Sequence, residues 1–240
     1  MMVPKKKTKS VECETCSSQD RSIFCDLHQL ELKKIQQAKT TNHYKKGQIL
    51  FSQGNHSTGI YCVNQGTIKL SKIGSDGKES IIRLVAEGDV LGHRSLFSLE
   101  NYAASATVLE DSTICFIDKK SIMQLLTEYP SIAFNLMSRL GRELGIAEER
   151  IASITQKNIR ERLAELLLLL KESHGIFENG KWKIMLTLTR EEMASMIGMA
   201  TETLIRVLSE FKENKWVEQE GKTLYITDVM KLAEVAQIPY

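Results

Sequence analysis

The stretch Leu186–Thr227, LTLTREEMASMIGMATETLIRVLSEFKENKWVEQEGKTLYIT, decides how the chain reads. Thr189 followed three residues later by Glu192 is a capping box, and Met193, Ala194 and Ile197 are spaced to face inward on the short helix it starts. Gly198 supplies the sharp turn a helix C-terminus needs. A second helix is predicted from about Thr201 to Phe211, with Leu204, Val207, Leu208 and Phe211 as its packing stripe. Thr201, Glu202, Ile205, Arg206 and Ser209 are then directed outward. Trp216–Gln219 and Thr223–Ile226 read as strands joined through Gly221-Lys222, a two-stranded wing beside the helices.

A helix presented in this way enters a major groove. Arg206 can donate two hydrogen bonds to guanine O6 and N7, Glu202 can accept from cytosine N4, and Ile205 suits a thymine methyl. Glu202 and Arg206 also stand four apart on one helical face, the spacing of a surface ion pair worth ~0.3–0.5 kcal/mol; such a pair would hold the arginine extended. Thr187, Thr189, Arg190 and Lys222 are placed to touch phosphates, which sets affinity and register without reading sequence.

Working upstream, Asn158–Ser173 carries Ile159, Leu163, Leu166, Leu167 and Leu170 on one broad face, the mark of a buried helix opening a new domain. Before it, from Tyr129-Pro130, Leu140, Leu144, Ala147, Ile151 and Ile154 recur at the three-and-four spacing of a coiled-coil seam. The alternatives are an ordinary core-facing helix and a subunit interface, and the unbroken seam favours homodimerisation. Between Tyr44 and Lys119 the texture is different. Short runs at Gln48–Phe51, Gly59–Val63, Thr67–Ile73, Ser80–Leu84 and Ser112–Ile117 are separated by turn signals, with Asp76-Gly77 a hairpin turn. They read as a β-sandwich of jelly-roll type. Asp26–Lys39 reads as a short amphipathic helix with Leu27, Leu30, Ile35 and Ala38 on its apolar side.

The domain organisation expected is therefore a basic tail and cysteine cluster (1–25), a sensor β-roll (26–128), a dimerisation helix (129–155) and a winged helix-turn-helix domain (156–240), an α+β chain. Its 240 residues suit two modules. With 32 basic against 30 acidic residues, bulk charge neither favours nor excludes nucleic acid, so attraction to DNA must come from a few placed residues. The longest purely apolar run, Leu166–Leu170, is far short of a membrane span, and the tail lysines Lys5, Lys6, Lys7 and Lys9 precede no apolar stretch. A cytoplasmic location without membrane contact is expected. No P-loop, zinc-protease helix or nucleophile elbow is present, so enzyme activity is not expected.

Over nearly its whole length the chain resembles the CRP/FNR family of bacterial transcription regulators. The resemblance is carried by Lys45–Asn55 (KKGQILFSQGN), Gly66–Leu70 (GTIKL), Glu87–Phe97 (EGDVLGHRSLF), Ala104–Ile117 (ASATVLEDSTICFI) and Met196–Phe211 (MIGMATETLIRVLSEF). It implies a cyclic-nucleotide-binding-type β-roll, a long dimerisation helix and a winged helix-turn-helix on a palindromic promoter, with double-stranded DNA, a second copy of the chain and RNA polymerase as partners. It also implies a Glu and an Arg four apart on the recognition helix, met here by Glu202 and Arg206. Ala200 departs from the pattern, since it stands where a capping Ser or Thr is common. The cAMP-binding branch uses a Gly-Glu pair and a later Arg-Ser pair; this chain has Gly92-His93-Arg94-Ser95 and Ala103-Ala104-Ser105-Ala106, so cAMP held in the usual manner is not expected. Arg94 reads as a surface arginine.

The oxygen-sensing branch resembles this chain in its cysteines. It implies a [4Fe-4S] cluster on Cys13, Cys16, Cys25 and Cys115, four thiolates being the count such a cluster requires. Eight residues separate Cys16 from Cys25, however, and Ser22 stands where the third ligand belongs. Zinc at Cys13 and Cys16, a thiol redox switch, or vestigial cysteines in a regulator that answers a small ligand remain alternatives. Cys62, within a strand, reads as a buried small hydrophobe. A rival of another class is a winged-helix sensor that binds protein; its mark would be an apolar face in place of Glu202 and Arg206.

Overall fold

The computed structural model describes residues 11–239, and the chain divides into two compact units. One holds the chain up to Lys72 with Ile82–Glu143; the other holds Ile73–Ile81 with the chain from Leu144 onward. The tail lysines Lys5, Lys6, Lys7 and Lys9 lie outside the described residues.

The first unit begins with two 3₁₀ turns, Cys13–Thr15 and Gln19–Arg21, followed by α1 (Gln29–Ala38). Helix α1 starts later than the periodicity predicts, where the Glu31 carboxylate accepts from the His28 N–H at 2.7 Å. The late start changes the buried face. Leu27 is buried but precedes the helix, so Leu32 and Ile35, three apart, define the inward side and Leu30 is left 78% exposed.

Strands β1 (Lys39–Tyr44), β2 (Ile49–Phe51), β3 (Gly59–Gln65), β4 (Ile68–Ile73), β5 (Glu79–Val85) and β6 (Val90–Leu91) follow. Then come α2 (His93–Ser98), β7 (Ser105–Val108), β8 (Ser112–Asp118) and α3 (Lys119–Glu128). β1, β6, β7, α2 and α3 are additions to the sequence reading; β1 in particular carries Lys-Thr-Thr-Asn-His-Tyr, with no apolar alternation to announce it. Two antiparallel four-stranded sheets form, in the orders β1-β8-β3-β6 and β2-β7-β4-β5. Phe51, Val63, Ile68, Val85, Leu91, Ala106, Val108 and Ile114 from both sheets close one core between them. On the outer face of the first sheet, Ile60, Val90 and Ile117 pack with Leu32 and Ile35 of α1 and with Ile122 and Leu125 of α3. The period-two alternation of β3 and β8 thus serves two cores, which is why both read as nearly continuous apolar runs.

Helix α4 (Pro130–Gln156) is 27 residues long, roughly 40 Å at 1.5 Å per residue. Pro130 stands at its first position, where a missing N–H costs nothing. Ile132 and Leu136 anchor its beginning in the outer core of the β-roll.

In the second unit, α5 (Ile159–His174) buries Leu163, Ala164, Leu166, Leu167, Leu168 and Leu170. Its start is capped by Asn158, whose side chain accepts from the N–H of Arg160 at 2.9 Å and of Glu161 at 3.2 Å. Then come β9 (Gly175–Glu178), β10 (Lys181–Ile184), α6 (Arg190–Ile197), α7 (Thr201–Glu213), β11 (Val217–Glu220), β12 (Thr223–Ile226) and α8 (Val229–Ala236). The two-stranded wing is in fact half of a four-stranded sheet ordered β11-β12-β10-β9. Its second hairpin turns at Asn179-Gly180, with φ of 50° and 78°, the positive pair a tight Asn-Gly hairpin demands. Phe211, fully buried, packs on Trp216 with ring centroids 5.2 Å apart and so ties α7 to the start of the wing. Phe211→Ala should lower the unfolding free energy of this unit by about 3–5 kcal/mol, read from urea denaturation followed by Trp fluorescence.

Candidate functional site

The putting-together of α6 and α7 follows from local chemistry. Thr189 accepts from Glu192 N–H at 3.1 Å and the Glu192 carboxylate accepts from Thr189 N–H at 2.9 Å, so the predicted capping box is formed. Gly198 takes φ 64°, ψ 48°, the left-handed cap that ends α6. Arg162 from α5 donates to Ile197 O at 2.7 Å and Arg150 of α4 donates to Met196 O, so two guanidinium groups hold the carbonyls at this turn. Ala200 occupies the N-cap of α7 with no side-chain cap, which leaves the first N–H groups of that helix open to an outside acceptor.

Leu204, Val207, Leu208 and Phe211 are buried, as the stripe predicts. Opposite them, Glu202 and Arg206 are exposed, Ile205 is 47% exposed, and Thr201 and Ser209 are half-buried. The expected ion pair is absent: among the described residues Arg206 and Glu202 make no hydrogen bond or ion pair with each other or with any other side chain. One turn apart on a solvated face, their attraction is too weak to fix two long side chains. Both groups therefore present unshared hydrogen-bonding capacity to solvent.

The flanking residues differ among themselves. Lys222 is exposed at the tip of the β11–β12 hairpin, and Thr187 is half-buried ahead of α6. Arg190 is not a loose surface cation. Its guanidinium donates to Gln219 Oε1 at 2.5 Å, the same oxygen that accepts from Lys212 Nζ at 3.0 Å. Gln219 thus joins α6, the end of α7 and the wing through one acceptor, a connection that sequence spacing of 29 and 7 residues does not reveal.

On α4 the seam residues Leu144, Ala147, Ile151 and Ile154 are exposed and Leu140 is half-buried. Met137, 56% exposed, continues the spacing by three residues toward the N-terminus, and Phe134 and Ile146 enlarge the apolar surface. Large apolar side chains along one helix, left uncovered in a single chain, mark an association surface.

The cysteines regroup. Cys13, Cys16 and Cys115 line one small cavity, about 40 Å³, and the fourth thiol there is that of Cys62. Cys62 and Cys115 face each other across the β3–β8 pair. Cys25 stands elsewhere, with Asn135 Nδ2 3.5 Å from its sulfur and donating to Ile23 O and Asp26 as well. The set Cys13, Cys16, Cys25 and Cys115 therefore does not converge, and among the described residues no three His, Cys, Asp or Glu side chains are already arranged to hold a metal ion. The residues present do not fit the cluster implied by the resemblance. Lys39 explains the local geometry: its ammonium donates to Val11 O at 2.6 Å and lies 3.6 Å from the Cys115 sulfur. Burial pushes the Cys13 thiol up and the Cys62 thiol far up, so both are held as neutral thiols.

Where the cAMP-binding branch carries its acid, His93 is buried and its Nε2 lies 3.1 Å from Glu143 Oε2 of α4. Arg83 Nη1 approaches Glu143 Oε1 at 2.6 Å, and Arg139 pairs with Asp89 and reaches Glu143 at 3.5 Å. This knot connects β5, α2 and α4. Burial opposes ionisation of Glu143, but the His93 hydrogen bond and the Arg83 charge outweigh it and hold the carboxyl down at about 2. Arg94 is a surface residue, 3.5 Å from exposed Glu100.

The two halves each match a known domain family: residues 41–129 match the cyclic nucleotide-binding domain and residues 161–235 the Crp-like helix-turn-helix domain. The chain belongs to the CRP/FNR family of transcription regulators. This CRP/FNR regulator is 28% identical over 233 residues to the fumarate and nitrate reduction regulatory protein of Yersinia pestis, covering 96% of this chain and 92% of that protein. It is 26% identical over 194 residues to a CRP-like cAMP-activated global transcriptional regulator of Mycobacterium tuberculosis, covering 81% and 87%. Among solved structures it is similar to a CooA mutant from Carboxydothermus hydrogenoformans, with a TM-score of 0.70, 25% identity, and 88% and 96% of the two chains covered. The c-di-GMP responsive global regulator CLP of Xanthomonas campestris shares the fold, with a TM-score of 0.74 at 17% identity over 83% of this chain and 99% of that one. Among the described residues no helix is long and apolar enough to cross a membrane.

Because Glu143 is held below its ordinary carboxyl value, its contribution to stability is complete above about pH 4.5 and is lost as pH falls toward 2. Glu143→Gln should cost on the order of 2–3 kcal/mol near neutral pH. The gap between variant and wild type should close between pH 5 and pH 2 in urea unfolding measured across that range.

Proposed function

We propose that this regulator binds a two-fold symmetric DNA site as a homodimer, with Arg206, Glu202 and Ile205 reading base edges and Thr187, Thr189, Arg190 and Lys222 meeting the backbone. The observation that carries the reading is the exposed, unpaired Arg206–Glu202 face on a helix whose opposite side is fully buried. A guanidinium with no internal partner can give both N–H groups to guanine without first breaking an ion pair. That face is polar and charged, which favours nucleic acid over an apolar protein groove. The uncapped N-terminus of α7 adds N–H groups that suit a phosphate oxygen. Arg190, already held by Gln219, serves as a fixed cation on the backbone; it needs little ordering when DNA arrives.

The second copy docks along α4 through Met137, Leu140, Leu144, Ala147, Ile151 and Ile154. Two reading helices then fall on successive major grooves, ~34–36 Å apart. A signal received in the β-roll reaches DNA by shifting how α4 packs on its partner. The Glu143 knot ties α4 to α2 and β5, and it is the rigid link through which a change in the β-roll moves this helix. The signal differs from cAMP held in the usual manner, because the ribose-binding acid is replaced by His93.

Arg206→Ala should weaken binding to the specific site by about 1–3 kcal/mol and relax preference at one base pair, whereas Lys222→Ala should weaken all sites alike and reduce the salt slope by about one. Fluorescence anisotropy with systematically substituted duplexes separates the two outcomes; unchanged affinity and preference in the Arg206 variant would overturn the assignment. The double variant Leu144→Glu/Ile151→Glu should elute as a monomer in light-scattering chromatography and lose affinity for the symmetric site, and a stable dimer would exclude α4 as the interface.

A further inference from the structure

We infer that Arg190 and Lys212 form a two-cation clamp for one phosphodiester oxyanion of the DNA backbone, and that Gln219 is the residue that positions it. The inference rests on the DNA-binding reading and adds to it a backbone contact, Lys212, and a positioning side chain that the helix-turn-helix pattern does not announce. Its starting point is how this unit disposes of its cations. Lys157 is paired with Glu165, Arg160 with Glu210, Lys181 with Glu218 and Glu220, and Lys231 with Glu234. Arg190 and Lys212 are different. Both donate to one neutral amide oxygen, Gln219 Oε1, at 2.5 and 3.0 Å, and among the described residues no carboxylate pairs with either. Their nitrogens can stand no farther apart than those two distances laid end to end, so two like charges are held side by side with nothing of opposite sign between them. Such a pair is repulsive until an anion joins it. Burial pulls the Arg190 pKa down, as it does for a cation with no carboxylate beside it.

Each element has its own reason for delivering its part. Arg190 is the first residue of α6, set by the Thr189 cap, and its other terminal nitrogen, Nη1, lies 3.5 Å from Met193 Sδ, which steadies the guanidinium plane. Lys212 follows Ile205 on the same side of α7 two turns later, about 10 Å further along the axis. A helix whose first turns occupy a groove ~12 Å wide reaches the phosphate wall over that distance. Gln219 comes from β11, and its Nε2 donates to Gly221 O at 2.7 Å, which turns Oε1 toward the two cations. Donors remain for a ligand. The ammonium has two N–H groups to spare and Nη2 has one, enough to meet two oxygens of a phosphate. Arg190 and Lys212 are half-buried and Gln219 is exposed, so the clamp opens to solvent.

The contact is to the backbone, so its test needs no knowledge of the target site. Binding of the full chain to a mixed-sequence DNA duplex is followed by fluorescence anisotropy over a series of salt concentrations. Lys212→Ala should weaken binding roughly three- to tenfold and lower the salt slope by about one per subunit, and Lys212→Arg should restore both. Gln219→Glu decides the role of the amide. It keeps the acceptor but adds a carboxylate that satisfies both cations. It should therefore raise the urea midpoint of this unit, which holds both tryptophans, Trp182 and Trp216, while weakening DNA binding and lowering the slope as Lys212→Ala does. Lys231→Ala changes the net charge by the same amount at a cation already paired with Glu234, and should leave affinity and slope at wild-type values. Unchanged affinity and slope in Lys212→Ala and Gln219→Glu, with Lys222→Ala still weakening binding, would overturn the clamp and leave the DNA-binding reading standing. An equal loss in Lys231→Ala would reduce the effect to net charge and overturn the clamp as well. A wild-type chain with no salt-dependent binding to the duplex would overturn both.

Discussion

The antiparallel pairing of β3 with β8 is the constraint on which the first unit depends. Gly59 opens it at a point where an added Cβ would stand 2.2 Å from Ile117 O, so only glycine allows the two backbones to close there. From that start the register runs Ile60 to Ile117, Tyr61 to Phe116 and Cys62 to Cys115. Because side chains alternate, the same pairing sends Val63 and Ile114 into the core between the sheets and Ile60 and Ile117 into the core beneath the helices. A one-residue slip would exchange the two cores and part the two thiols. Fold and thiol pocket are thus consequences of one register.

The outer core made by this pairing seats the first turns of α4 through Ile132 and Leu136, and the charged knot around Glu143 then fixes the helix further along. Apolar packing alone would let the helix rotate or slide at small cost. A carboxylate shared by a histidine and two arginines does not, since each partner left unpaired in a buried setting would carry a large desolvation penalty. The arrangement joins β5, α2 and α4. The remaining apolar residues of α4 stay uncovered, which is what makes this helix both anchored to the β-roll and available for association.

In the second unit the division of labour is set by the back of α7. Leu204, Val207, Leu208 and Phe211 bury one side so completely that the opposite side needs no packing role, and Glu202, Ile205 and Arg206 are left facing solvent. Gln219 stiffens the assembly by holding Arg190 and Lys212 together, which presents helix and wing as one surface.

Sequence by itself determined the elements whose information is local. The Thr189–Glu192 capping box, the Gly198 turn, the buried stripe of α7 and the three-and-four spacing of α4 all follow from backbone chemistry and helical period. The hairpin at Asn179-Gly180 carries an equally local signal in its Asn-Gly pair. What only the tertiary structure decided depends on pairing between distant segments. Leu32 replaces Leu30 on the buried side of α1 because the helix starts at Gln29, a matter of capping and packing that the apolar count does not settle. Cys62 joins Cys13, Cys16 and Cys115 while Cys25 stands apart, because β3 and β8 are brought side by side over more than fifty residues of intervening chain. The physical reason is the same in each case: period and capping act within a few residues, whereas register and convergence are set by which surfaces the whole core brings together.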